Sequence, residues 1–289
     1  MVSFTTVVTA GLLASSSLAL PHAHQKFHQK RSSSSSKRGA AYNDASLVST
    51  LTSTGTVSWA YDWNDANDGT LPSGIEYVPM LWGSKMFDGW SSAVETALSS
   101  GSSYILGFNE PDMTSQADMS ASDAATYYKQ YITPYADRAS LVTPAVTSST
   151  DSGMGLEWMA SFLEACTDCN ATAMAVHWYG EAASDFKSFV EQAIETASNY
   201  SISSVWITEF GLSSGTDSEA ASFIEEVVPW LDSQSAVGRY AYFYCADGYL
   251  CFFLLRLDGQ RTRNFFLFHF LDLLDIPFPY PCMWWYTTT

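Results

Sequence analysis

Between residue 39 and about residue 250 the chain alternates short apolar runs with longer stretches whose apolar positions recur every three or four residues. The short runs, at 57–61, 76–81, 104–108, 141–146, 173–178, 205–209 and 239–244, read as buried strands. Helices are expected near 41–51, 88–99, 120–137, 155–165, 184–199 and 217–232. Asp123 and Asp185 fall near first turns, and Thr216-Asp217-Ser218-Glu219 precedes an apolar-periodic run, as helix starts require. Strands alternating with helices predict a parallel sheet. Almost every strand ends on an aromatic or polar residue, so one rim of that sheet carries the chemistry. This is the arrangement of an α/β (β/α)8 TIM barrel, whose site lies at the carboxyl ends of its strands. A doubly wound open sheet is the alternative, but no glycine-rich phosphate loop follows any strand. Seven strands are visible, and the eighth is expected within 62–74 or near 85–100. Roughly 210 residues suffice for one core.

Two of the strands end alike. Ile105-Leu106-Gly107-Phe108-Asn109-Glu110-Pro111 and Val205-Trp206-Ile207-Thr208-Glu209-Phe210-Gly211 each run apolar onto a glutamate and then break. A buried strand that stops on a carboxylate delivers it to the sheet rim. Two such deliveries from one sheet supply what glycoside hydrolysis needs: one carboxyl to protonate the leaving oxygen and one to attack or to activate water. Two strands lie between those of Glu110 and Glu209, so in a closed barrel the pair faces across the mouth. Their carboxyls are expected about 5–5.5 Å apart, the spacing of a retaining double displacement. Like charges that close do not ionise together readily, so one pKa is expected to rise and that group to serve as the acid.

The chain ends change the picture of compartment. Residues 1–19 hold no acidic residue, run through an apolar stretch too short to span a membrane, and offer Ser17 and Ala19 before a cleavage point, as in a secretory signal peptide. Residues 20–38 are polar and rich in serine and histidine, which predicts a disordered pro-segment ending at the dibasic Lys37-Arg38. His22, His24 and His28 belong to that linker, and no metal site is expected there. The formal charge of −17 becomes about −22 without residues 1–38, which remove five basic and no acidic residues. Such a domain excludes electrostatic binding of nucleic acid or an anionic membrane, whereas an uncharged polysaccharide makes no demand on net charge. Asn170-Ala171-Thr172 and Asn199-Tyr200-Ser201 are glycosylation sequons at Asn170 and Asn199. A secreted or cell-wall protein is expected.

The motifs Asn109-Glu110-Pro111 and Thr208-Glu209-Phe210-Gly211 resemble the fourth- and seventh-strand signatures of the glycoside hydrolase clan A barrels. With Ser58-Trp59-Ala60-Tyr61, Val78 to Gly83 and Val176-His177-Trp178-Tyr179-Gly180, the ordered set over residues 39–250 resembles glycoside hydrolase family 128, which includes fungal alkali-sensitive linkage proteins of the cell wall. The resemblance implies an endo-β-1,3-glucanase of the fungal wall, without cofactor, with β-glucan as partner and a monomer as its working state. Glu110 would be the general acid/base, Glu209 the nucleophile, and Asn109 would bond the sugar 2-hydroxyl. A wall glucan-binding protein on the same barrel, with little or no turnover, is the alternative.

Other side chains fill in the expected site. His177 and Tyr179 are expected to orient carboxylates or sugar hydroxyls. Trp82 and Trp178 are expected to stack on sugar rings, and Trp59 and Trp63 are further candidates. Asp62, Asp65 and Asp68 lack the terminal glutamate of a calcium loop and read as a solvated turn. Cys166-Thr167-Asp168-Cys169 admits a redox pair, half a zinc site or a local disulfide; with no further metal ligands at partner spacing and a secretory route, the disulfide is expected. Cys245, Cys251 and Cys282 have no evident pairing. Residues 251–289 hold 11 aromatics in 39 positions on no period, which reads as a mis-spliced or frame-shifted tail and leaves the C-terminal completion of the barrel in question.

Overall fold

The structure, a computed structural model, describes residues 37–52 and 57–245. Eight strands, β1 (Arg38–Tyr42), β2 (Trp59–Tyr61), β3 (Glu76–Tyr77), β4 (Tyr104–Ile105), β5 (Ser140–Val146), β6 (Ala171–Gly180), β7 (Val205–Leu212) and β8 (Val237–Cys245), run parallel in the order β3-β2-β1-β8-β7-β6-β5-β4. The two ends of that order meet just beyond β3 and β4. There Met80 bridges Leu106, with Leu106 N donating to Pro79 O at 2.9 Å and Leu81 N to Leu106 O at 3.1 Å. The fold is therefore a (β/α)8 barrel. Helices α1 (Ala45–Thr52), α2 (Trp90–Ser99), α3 (Ala121–Tyr131), α4 (Gly155–Ala165), α5 (Ala183–Asn199) and α6 (Asp217–Ser233) occupy the connections, except that residues 62–75 join β2 to β3 without a helix.

The eighth strand is β1, at 38–42, and not within 62–74 or 85–100. Its Gly-Ala-Ala-Tyr run lacks β-branched residues because the space is taken: the Trp59 ring lies across Gly39, 2.2 Å from where a Cβ would stand. Lys37 and Arg38, expected to close a disordered segment, are part of the fold. Lys37 Nζ donates to the carbonyls of Asp232 (3.0 Å) and Gln234 (2.6 Å) at the end of α6, and Arg38 Nη2 bonds Asp232 Oδ2 at 2.6 Å. The stretches expected to form a signal peptide and the rest of a pro-segment, the 251–289 tail, and with it Cys251 and Cys282, lie outside the described residues.

The core has two layers, set by strand alternation. Inside the barrel lie Trp59, Tyr61, Met80, Leu106 and Trp206. Between sheet and helices lie residues such as Val94, Phe162, Val176, Phe186, Ile207 and Val227. The helix starts have the chemistry their sequences indicate. Thr216 and Glu219 form a reciprocal capping box on α6, Ser120 Oγ accepts from Asp123 N at the start of α3, and Asp185 lies in the first turn of α5. No helix among the described residues is long and apolar enough to cross a membrane.

Candidate active site

Glu110 and Glu209 reach the barrel mouth through the same irregularity. On β7 the helix-facing residues Ile207 and Phe210 are three apart, where a regular strand repeats every two. The register explains it: Val176 pairs with Ile207 but His177 pairs with Glu209, so Thr208 and Glu209 together oppose one residue of β6. This β-bulge lets both side chains face the mouth. Beyond β4, Ile105 and Phe108 are likewise three apart on the helix side, and Glu110 sits at φ 42°, in the left-handed region. Gly107 permits this, because a Cβ there would stand 2.6 Å from Pro144 N on β5. Glu110 N then donates to Ala145 O at 2.8 Å, and Asn109 N to Trp82 O at 2.9 Å.

His177 joins the two carboxylates. Its Nδ1 lies 2.9 Å from Glu110 Oε1, and its Nε2 lies 2.9 Å from Thr208 Oγ1 and 3.6 Å from Glu209 Oε1. One carboxylate oxygen of Glu110, one of Glu209 and an imidazole nitrogen all fall within 4.8 Å of one another. Trp63 Nε1 donates to Glu209 Oε1 at 2.7 Å and Tyr179 OH to Oε2 at 2.5 Å. His177 is 0% exposed, Glu209 6% and Glu110 8%. These three form a nitrogen-and-oxygen set that a transition metal accepts. Both imidazole nitrogens, however, are already committed to hydrogen bonds within the network.

The electrostatics follow from burial and like charge. Burial, followed by the negative charge of Glu110, pushes Glu209 above the ordinary carboxylate range, against His177 and the Tyr179 and Trp63 donors. The upward push thus falls on Glu209, the carboxylate expected to attack, rather than marking it as the acid. The hydrogen bonds separate the roles instead. Both Glu209 oxygens accept hydrogen bonds, one from the Trp63 indole N–H and one from the Tyr179 hydroxyl, which suits a carboxylate, while Glu110 has one oxygen on His177. Burial disfavours a charged His177, but the negative charge of Glu209 and the hydrogen bond to Glu110 outweigh it and raise its pKa. Burial, then the charge of Glu209, holds Tyr179 and Tyr61 well above 10, so both remain donors.

Not every expected residue reaches the mouth. Asn109 does: it is buried, with Nδ2 donating to Gln116 Oε1 at 3.3 Å and Oδ1 without a partner among the described residues. Trp178 does not. Strand alternation turns it to the helix side, where it is 4% exposed and stacked on Phe223 of α6. Trp59 is fully buried two positions below Tyr61, inside the barrel, so neither is a sugar platform. Trp82 is half-buried at the rim with Lys85 Nζ 3.4 Å over its ring, so one face is already covered. Trp63 is at the mouth as a hydrogen-bond donor, at φ 58°. Its loop is tied by Asp62, which is buried rather than solvated and accepts from Asn64 N, Asp68 N and Tyr77 OH at 3.2, 3.0 and 2.8 Å. Cys166 and Cys169 are joined as a disulfide at the end of α4, and Asn170 and Asn199 are exposed.

Residues that the sequence pattern did not mark are Thr208, Tyr61 and Gln116. Tyr61 OH donates to Thr208 O at 2.8 Å. Only Thr208 carried a signal: two successive polar residues at the end of an apolar strand.

Residues 39–264 match the family model described as glycosyl hydrolase catalytic core. The chain is 31% identical over 225 residues to alkali-sensitive linkage protein 1 of Schizosaccharomyces pombe, covering 73% of this chain but 39% of that protein. A curdlan-specific exo-β-1,3-glucanase of family 128 (subgroup III) from Blastomyces gilchristii, solved with glucose, is 42% identical with a TM-score of 0.70, over 73% of this chain and 90% of that one. A subgroup II endo-β-1,3-glucanase from Sorangium cellulosum is 29% identical with a TM-score of 0.61, over 72% and 87%. A subgroup I endo-β-1,3-glucanase mutant from Amycolatopsis mediterranei, solved with laminaripentaose, is 26% identical with a TM-score of 0.60, over 72% and 88%. A barrel with two carboxylates at its mouth and this extent of identity establish that the chain belongs to glycoside hydrolase family 128.

Proposed function

We propose that this chain hydrolyses β-1,3-glucan with retention of configuration, as a secreted enzyme acting on fungal cell-wall glucan. The carrying observation is the Glu110–His177–Glu209 cluster, in which one oxygen of each carboxylate lies within 4.8 Å of the other, closer to the roughly 5–5.5 Å spacing of a double displacement than to the roughly 6.5–9.5 Å that leaves room for an interposed water. Glu110 transfers its proton to the glycosidic oxygen while a Glu209 oxygen attacks the anomeric carbon, and the bond to the leaving sugar breaks. Glu110, now a carboxylate, takes a proton from water; that water attacks the anomeric carbon and frees Glu209. Trp63 and Tyr179 hold the attacking carboxylate in place. The Cys166–Cys169 disulfide and the exposed sequons support an oxidising, secretory route.

Two modes of cutting compete. An endo mode accords with the family 128 endo-acting neighbours, whereas the 42% identity to an exo-acting one favours cutting from the chain end. Incubation with linear β-1,3-, β-1,4- and β-1,6-glucans decides substrate and mode together. The expected result is products from the β-1,3-glucan alone, β-anomeric by proton NMR when first formed. Early oligosaccharides mark the endo mode and early glucose the exo mode. Binding without reducing ends would replace the reading with that of a glucan-binding protein, and α-anomeric products would overturn the double displacement.

A further inference from the structure

The bulge on β7 brings to the mouth a residue with no part in the reaction so far. Thr208 Oγ1 is buried and, among the described residues, bonds only His177 Nε2, at 2.9 Å. Tyr61 OH fixes the same residue's carbonyl at 2.8 Å. A hydroxyl in that position has two choices. Donating to Nε2 satisfies its hydrogen; accepting from a protonated Nε2 leaves that hydrogen buried without an acceptor, at a cost of about 1–3 kcal/mol. Donation requires Nε2 to be unprotonated, so the ring proton sits on Nδ1 and points at Glu110 Oε1. Glu110 Oε1 then accepts, which leaves Oε2 to carry the proton for the leaving group.

We propose that Thr208 is a positioning residue that keeps the proton shared by Glu110 and His177 on Glu110, by occupying the imidazole nitrogen that would otherwise take it. The opposing pull is real. Glu110, Glu209 and Asp112 all bring negative charge towards His177, while Tyr61 and Tyr179, bonded to Thr208 O and Glu209, stay neutral. Without the hydroxyl, Nε2 takes a proton and turns its hydrogen towards Glu209 Oε1, 3.6 Å away. Glu110 is then a carboxylate. The total proton count is unchanged, but the acid is lost.

This inference rests on the proposed hydrolysis, and its test separates the two. In Thr208→Val the proton moves to His177 without leaving the pair, so the plateau of kcat/KM falls and its alkaline limb rises by the same factor. A tenfold lower plateau is matched by a limb about one pH unit higher, and the two profiles converge above it. Thr208→Ser, which restores the hydroxyl, keeps the wild-type limb. A plateau that falls with the limb unmoved, or moved down, would show a merely structural role and overturn the proposal. A second readout needs no turnover: nitrogen NMR of histidine-labelled protein, with His177 assigned from His177→Gln. Above the pH at which His177 loses its second ring proton, Nε2 is expected unprotonated in wild type and Thr208→Ser, and protonated in Thr208→Val. A protonated Nε2 in wild type in that range would overturn the inference even if glucan is cleaved. An unprotonated one sustains it even if glucan is not.

Discussion

The two ends of the barrel interior both bury charge, and they treat it oppositely. At the foot, Arg239 Nη2 meets Glu76 Oε2 at 2.6 Å, and Glu76 Oε1 also accepts from Ser103 N at 2.7 Å. The guanidinium lies 4.2 Å from the Tyr104 ring, 4.8 Å from Trp206 and 5.4 Å from Trp59. One cation meets one anion within an aromatic collar. At the mouth, two carboxylates share one imidazole, and negative charge is left over. A balanced buried pair holds shape; an unbalanced one is poised to move a proton. The difference separates the stabilising face of a barrel from its reactive face.

The sharpest way to break this contrast is to remove a carboxylate at the mouth. Glu110→Ala is expected to lower turnover on β-1,3-glucan by about 10²–10⁴-fold, the usual worth of a general acid/base, and Glu209→Ala by at least as much. Both variants should still bind laminarin oligosaccharides in calorimetry. Wild-type rates in either would remove the assigned mechanism. At the foot, Arg239→Met removes the guanidinium that faces the buried Glu76 carboxylate, and is expected to cost about 3–5 kcal/mol of stability in urea unfolding. Its turnover per folded molecule should stay at the wild-type level. If Arg239→Met instead reshaped the pH–rate profile, the foot would not be merely structural.

What the sequence reveals divides along the same line. Glu110 and Glu209 are legible because an apolar run that ends on an acid and breaks at Pro111 or before Gly211 is visible without any fold. Helix starts are legible too, since capping is local. What is hidden depends on which way a side chain faces. Alternation separates Trp178 from His177 and Tyr179, although the three stand together in sequence. The bulge does the reverse, bringing Thr208 and Glu209 to one side against the period of two. Strand β1 is hidden for a third reason: its small residues answer to the Trp59 ring packed against them, a partner 20 positions away. Trp63 reads as a platform because indole faces suit sugars, but the φ of 58° and the Asp62-tied loop that turn its N–H onto Glu209 cannot be read from composition.

The smallest expected effect tests the charge imbalance itself. Glu209 is raised above its ordinary value of 4.5, by burial and by Glu110. The folded state therefore binds that proton more tightly than the unfolded chain does. The resulting stability is complete below pH 4.5 and is lost as pH rises through the raised value. His177 is raised above 6.5 and acts with the same sign, its share complete below pH 6.5 and lost above. Both groups thus make the mouth a growing burden as pH climbs. Glu209→Gln deletes the first share and, by removing the charge most responsible for raising His177, reduces the second. Urea unfolding should find wild type and Glu209→Gln alike near pH 4 and the variant more stable near pH 7. The gap is about 1.4 kcal/mol for each unit by which folding raises the Glu209 pKa. Parallel curves across this range would mean that the mouth is as well balanced as the foot. The ionised Glu209 would then rest comfortably on Trp63 and Tyr179, and the reactivity of the cluster would have to come from Glu110 and His177 alone.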